Sequence, residues 1–155
     1  MSSFRRRSSR YVSRPKRNAE RHVRAGQSLV TPATQQTIYN FEASQACTVR
    51  SIKLDIGAGG LSNNANIPYA LVHVREGYNA NTLTYPALAN DLYNPTMDVL
   101  ISGVITDNAV EDHKWNSIGR KLKAGDRLCL IVANGNNTGG DNVLVVFEMN
   151  FTVLT

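Results

Sequence analysis

Cysteine is nearly absent from this chain of 155 residues: Cys47 and Cys129 are the only two. Two thiols cannot build a disulfide framework, nor a thiolate zinc site by themselves. Both sit in apolar, strand-like runs, where a free cysteine packs as a small core residue. This fits a reducing, intracellular setting, with one bridge at most. Long hydrophobic runs are missing as well. The longest, Leu128 to Ala133, falls far short of the roughly 20 residues a membrane helix needs. The basic N-terminus has no apolar stretch behind it, so it does not read as a secretory signal. Helical periodicity is missing too: no segment beyond about two turns repeats its apolar residues every 3.6 positions. What the chain does have is 42% hydrophobic residues, enough for one core in a domain-sized chain and too much for global disorder.

Its charge is lopsided. The formal net charge of +5 comes from 17 basic and 12 acidic residues. Nine of the basic residues, Arg5, Arg6, Arg7, Arg10, Arg14, Lys16, Arg17, Arg21 and Arg24, lie in the first 24 positions, with Glu20 as their only acid. That segment carries +8 and the remainder, with 8 basic and 11 acidic residues, carries −3. The N-terminal segment is also serine-rich and poor in aliphatic residues. Like charges repel, and little apolar surface offsets ordering entropy, so it is predicted to be disordered on its own. Charge blocks of this kind are arms for polyanions, and guanidinium groups grip phosphate bidentately. The nine cations are therefore the candidate nucleic-acid-binding residues, with Phe4 and Tyr11 available to stack on bases and nuclear import a compatible second use. A membrane helix is a poor reading, because the segment lacks a hydrophobic face.

Beyond the arm, Ala25-Gly26-Gln27-Ser28 reads as a linker, and period-2 alternation then dominates. Ile52, Leu54 and Ile56 oppose Ser51, Lys53 and Asp55. Ala70, Val72 and Val74 alternate with Leu71, His73 and Arg75. Thr37 to Phe41 and Val99 to Thr106 are further strand-like runs, and Arg127 to Ala133 is apolar on both faces, as a central strand is. Val143, Val145, Phe147, Met149, Phe151 and Val153 form one face of a last strand, with Glu148 and Asn150 on the other. Lys114 to Leu122 reads as a weaker strand broken at Gly119. Gly57 to Gly60, Gly77 to Asn79, Ala124 to Asp126 and Asn134 to Asp141 carry turn chemistry. Asn79 to Pro95 reads as a long surface loop. Seven or eight strands in about 120 residues imply an all-β sandwich or small barrel.

Catalytic and metal signatures are lacking. His22, His73 and His113 have no metal-ligand spacing, and His73 reads as a partly buried strand histidine. Glu111-Asp112-His113 reads as a solvated loop before a strand. Gly57 to Gly60 follows a strand but precedes no helix, so it does not cradle phosphate. Asn134 to Asp141 is oxygen-rich without the ordered acids of a calcium loop, and reads as a hairpin loop. No serine or cysteine sits in a nucleophile motif. The expectation is a non-enzyme with no cofactor and no metal.

A basic Arg/Ser-rich arm followed by one antiparallel sandwich of about 120 residues resembles the capsid proteins of very small icosahedral viruses, most closely the short coat proteins of circular single-stranded DNA viruses and satellite viruses. The resemblance covers the whole chain as an architecture rather than as a motif. The segment Arg120-Lys121-Leu122-Lys123-Ala124-Gly125-Asp126-Arg127-Leu128 also looks like the turn entering a late strand of viral jelly rolls. It resembles the same turn in trimeric tumour-necrosis-factor-like and C1q-like jelly rolls, but those are normally secreted and lack an arginine arm. The body is shorter than most coat proteins of that group. The resemblance implies a single eight-stranded antiparallel jelly-roll sandwich with a disordered basic arm. It divides the chain into an arm and linker, residues 1–27, and a shell domain, residues 28–155. It further implies self-assembly into a T=1 icosahedral shell, a virion location with host nucleus as a second site, and no membrane partner. The genome implied is single-stranded DNA, with RNA as the alternative. Subunit contacts are expected from the Asn79 to Pro95 and Asp107 to Lys114 loops. Two other readings remain open: a trimeric jelly-roll ligand, and a non-capsid nucleic-acid-binding β-barrel with a basic tail.

Overall fold

Alternating apolar residues become the facing surfaces of two sheets. The computed structural model describes residues 18–32, 34–61, 65–78, 97–117, 119–134 and 142–155. Among these residues the elements are all strands: β1 (Ala19–Val30), β2 (Thr34–Glu42), β3 (Cys47–Gly59), β4 (Asn66–Val74), β5 (Met97–Thr106), β6 (Glu111–Asn116), β7 (Arg120–Leu122), β8 (Arg127–Asn134) and β9 (Val143–Leu154). One sheet has the order β1-β9-β3-β6, with β7 beside β3, and the other β2-β8-β4-β5. Every pairing is antiparallel. A five-stranded and a four-stranded antiparallel sheet, between which the chain crosses repeatedly, make a jelly-roll sandwich, the fold class the sequence implied.

The extra strand is half of an interrupted edge. β6 pairs with Ile52–Gly57 of β3, and β7 with Cys47–Val49. Between them β3 bulges: Ser51 has a φ of 53°, and the register shifts between Arg50 and Lys53. The bulge lets Val49 and Ile52, three positions apart, both point inward. The weak strand broken at Gly119 is therefore this edge.

The core lies between the sheets. All six inward residues of β9, Val143 to Val153, are buried, and Glu148 is exposed. They pack against Ile52, Leu54 and Ile56 of β3 and against Tyr69, Leu71, Leu128, Leu130 and Val132 of the opposite sheet. β8 is buried on both faces, as read. Its other face, with Cys129 and Ile131, joins Ala70, Val72 and Val74 in a second cluster outside the main core. The two thiols are free and belong to different clusters.

Three readings are corrected. Ala25 to Ser28 is strand, not linker: β1 pairs with β9 along its whole length, from Ala19 opposite Leu154 to Val30 opposite Val143. Gly26 stands opposite Phe147, and a Cβ there would lie 2.9 Å from the ring. Glycine is present because an aromatic ring covers it, not because the chain must flex. Glu111 to His113 belongs to β6, not to a loop. Gly57 to Gly59 ends β3, leaving Gly60, at φ 78°, as the turn residue. The loops read at Asn79 to Pro95 and, past Asn134, at residues 135–141 lie outside the described residues.

Candidate nucleic-acid interface

Of the nine cations read as nucleic-acid-binding, Arg5, Arg6, Arg7, Arg10, Arg14, Lys16 and Arg17 lie outside the described residues, and Arg21 and Arg24 are strand residues of β1. The structure sets these two on opposite faces of β1, three positions apart. Arg24 interacts with the Tyr39 hydroxyl of β2 and donates to the Val23 carbonyl. Burial pushes the Tyr39 hydroxyl up, and the nearby Arg24 charge opposes this. Their neighbour His22 stacks on Phe151, with ring centroids 5.0 Å apart, and meets Phe41 edge-on. The part of the arm within β1 is thus tied to the body.

β1 begins where β9 ends. The Thr155 N–H donates to the Asn18 carbonyl at 3.1 Å, so Asn18 and Thr155 sit together at one end of the sandwich. At that end lies a cleft of about 1110 Å³. Leu154 and Thr155 line it, together with Thr48 of β3, Arg75 and Glu76 after β4, and Lys121 and Lys123 around β7. Distant segments meet here because β7 pairs with the start of β3. The Ala43 N–H also donates to the Asp126 carbonyl, fastening the β2–β3 connection to the turn before β8.

The wall of the cleft is a buried polar network. Asp126 is 5% exposed and accepts from His73 Nε2 at 2.9 Å, from the Lys123 N–H at 2.9 Å and from the Glu76 N–H at 3.1 Å. Burial pushes its carboxyl up, but these three bonds outweigh burial and hold it below the ordinary carboxylate value. His73 accepts on Nδ1 from Arg120 Nε at 3.0 Å. Burial holds the imidazole below its usual value, reinforced by Arg120 and Arg75 and opposed by Asp126. A neutral ring donating to Asp126 and accepting from Arg120 satisfies all three groups. Arg120 is further engaged by an ion pair with Asp98. His73 is a buried strand histidine, as its spacing suggested, but it is also the centre of this network.

That leaves Arg75, Lys121 and Lys123 exposed around the cleft with no ion pair among the described residues. Sequence reasoning missed them as a group. The available signal was the run Arg120-Lys121-Leu122-Lys123, three cations in four positions, but Arg75 joins it only through the fold. Elsewhere, Tyr69, buried in the core, donates to Asp112 at 2.7 Å, and His113 meets Asp55 at 2.7 Å on the exposed face. Both contacts connect strands, and neither opens onto the cleft.

No family model matches the chain, and no curated protein matches it. Among solved structures, one of infectious bursal disease virus, Gx strain, superposes with a TM-score of 0.46 at 8% identity, covering 91% of this chain and 32% of that one. Another, of T=1 particles derived from infectious bursal virus, has a TM-score of 0.25 at 13% identity, covering 90% and 39%. The chain thus spans about a third of the length of these virus-particle chains. Likeness at this level conveys no function.

Proposed function

We propose that the chain is the coat protein of a small icosahedral virus, which assembles into a T=1 shell and holds a single-stranded nucleic-acid genome through its basic N-terminal arm. One observation carries this reading: a jelly roll whose Asn18 sits at one end of the sandwich, preceded in the sequence by a segment holding seven of the chain's 17 basic residues, Arg5 to Arg17. Arms leaving from one end of each subunit converge on one side of a closed shell, where their charge offsets phosphate repulsion. Arg21 and Arg24, anchored in β1, extend that charge onto the sandwich. The genome is read as DNA, with RNA as the alternative, and the location as the virion, with nuclear entry through the arm.

Self-association has surface to use. Leu29, Leu144 and Val146 are exposed on β1 and β9, where Leu29 pairs with Leu144 and Leu144 with Gly59 of β3. Trp115 of β6 is 69% exposed, and Val104 of β5 is also exposed. Adjacent apolar residues left in water favour burial against another copy. They supplement the Asp107 to Lys114 segment, whose last four residues are strand. Negative-stain electron microscopy of the full chain tests the reading: closed particles of uniform diameter are expected. A shell of about sixty copies of a 17.0 kDa chain amounts to roughly 1 MDa. Uniform trimers would favour the ligand-type jelly roll, and monomers the nucleic-acid-binding β-barrel.

A further inference from the structure

The net charge of −3 beyond residue 24 suggests a body that repels phosphate, yet the fold does not distribute that charge evenly. Four of the eight basic residues in this part, Arg75, Arg120, Lys121 and Lys123, line the cleft beside Asn18. Two acids accompany them, and Asp126 is already saturated by His73 and two backbone N–H groups. Glu76 is the other, its side chain lying over Gly125. Arg120 is committed to His73 and Asp98. Three exposed cations therefore face the cleft against one side-chain carboxylate without a saturating partner. Thr48 and Thr155 add hydroxyl donors to the lining. The acids Asp55, Asp107, Glu111, Asp112 and Glu148 belong to other parts of the two sheets and do not line the cleft.

We infer that this cleft is a second phosphate-binding site, in which Arg75, Lys121 and Lys123 hold the backbone of the same nucleic-acid strand that the arm engages. The inference rests on the nucleic-acid reading proposed above and adds the body to it. The cleft and the arm are contiguous through Asn18 and Thr155, so a strand held by one is delivered to the other at high effective concentration. Lysine and arginine on separate elements recognise charge and spacing, not base edges, so the site is blind to sequence. The fixed network behind it, His73, Asp126 and Arg120, positions the backbone of Glu76 and Lys123 and so orients two of the cleft's edges.

The test is the binding of a fluorescently labelled 20-residue oligothymidylate to the full chain, followed by anisotropy across a salt series. Three proteins are compared: the wild type, a cleft variant (Arg75→Ala, Lys121→Ala, Lys123→Ala) and an arm variant with Arg5, Arg6, Arg7, Arg10, Arg14, Lys16 and Arg17 changed to Ser. Three lost phosphate contacts should make the slope of log K against log[salt] shallower by about 2 in the cleft variant. The arm variant, which keeps the cleft together with Arg21 and Arg24, should bind weakly and salt-sensitively with a slope of roughly −2 to −3.5. Far-UV circular dichroism checks that each variant is folded, and restoring charge with Lys121→Arg and Lys123→Arg, Arg75 left in place, should restore the wild-type slope. A cleft variant with wild-type affinity and slope, or an arm variant with no binding at all, overturns the inference and leaves the arm reading standing. A wild-type chain that does not bind the oligonucleotide overturns both.

Discussion

Replacing Gly26 by alanine asks where the arm ends and the sandwich begins. An alanine Cβ would sit 2.9 Å from Cε1 and 3.0 Å from Cζ of Phe147, whereas carbon atoms in contact prefer about 3.5–4.0 Å. The ring has little room to yield: Phe147 is 5% exposed and tilts against Tyr39 at a centroid distance of 5.9 Å. Overpacking of this kind costs about 1–3 kcal/mol. Alanine also narrows the unfolded ensemble, which offsets about 0.4–1 kcal/mol. The net expectation is a loss of about 0.5–2 kcal/mol, read from denaturant unfolding of the full chain by far-UV circular dichroism at constant m-value. If residues 25–28 were a linker, the same change would be neutral or stabilising. The sign decides. Phe147→Leu removes the ring edge, so in that background Gly26→Ala should lose its penalty; two changes in direct contact are expected to couple. A Gly26→Ala chain as stable as the wild type would refute the reasoning.

Phe151→Ala should destabilise by about 3–5 kcal/mol, because a buried ring packed on His22 and Phe41 is lost; Glu148→Ala, on the exposed face of the same strand, should be nearly neutral in the same unfolding assay. Stability should fall on acidification from pH 7 to pH 5. His73 is held neutral below its ordinary value, so the unfolded chain takes up its proton first and the stabilisation, complete above about pH 6.5, is lost as pH falls. Asp126, held low, adds a loss in the same direction below about pH 4. His73→Gln should flatten the pH 7 to 5 part of the curve while lowering stability at neutral pH. His113, raised by its bond to Asp55, acts in the opposite sense on the exposed face. Burial pushes both thiols up, so Cys47 and Cys129 should resist a thiol reagent in the native chain and react together once it unfolds.

What the sequence disclosed depended on how local the cause was. β9 is legible because one face meets the core and the other meets water, so the alternation from Val143 to Val153 is written into the residues themselves. β8 is legible because both its faces are covered. β1 is not, since its outward positions carry Arg21 and Val23 at the edge of the sheet, and its inward positions include His22, Arg24 and Gly26. The glycine looks like a linker until Phe147 is placed over it. The interrupted edge of β6 and β7 was visible as a break at Gly119, but its cause, the bulge at Ser51, lies on another strand. Arm charge was countable directly. The cleft was not, because it needs the pairing of Cys47 with Leu122 and the bond from Ala43 to Asp126 before Arg75 can be set beside Lys121 and Lys123.

The most direct test of a shell filled through its arms is sedimentation velocity of the full chain, recorded at 260 and 280 nm. The account predicts one fast boundary of roughly 1 MDa of protein, in which absorbance at 260 nm exceeds that at 280 nm and survives nuclease treatment. With Arg5, Arg6, Arg7, Arg10, Arg14, Lys16 and Arg17 replaced by Ser, the boundary should lose most of its 260 nm excess. A slow boundary at the mass of one or three chains, with the absorbance ratio of protein alone, would contradict it.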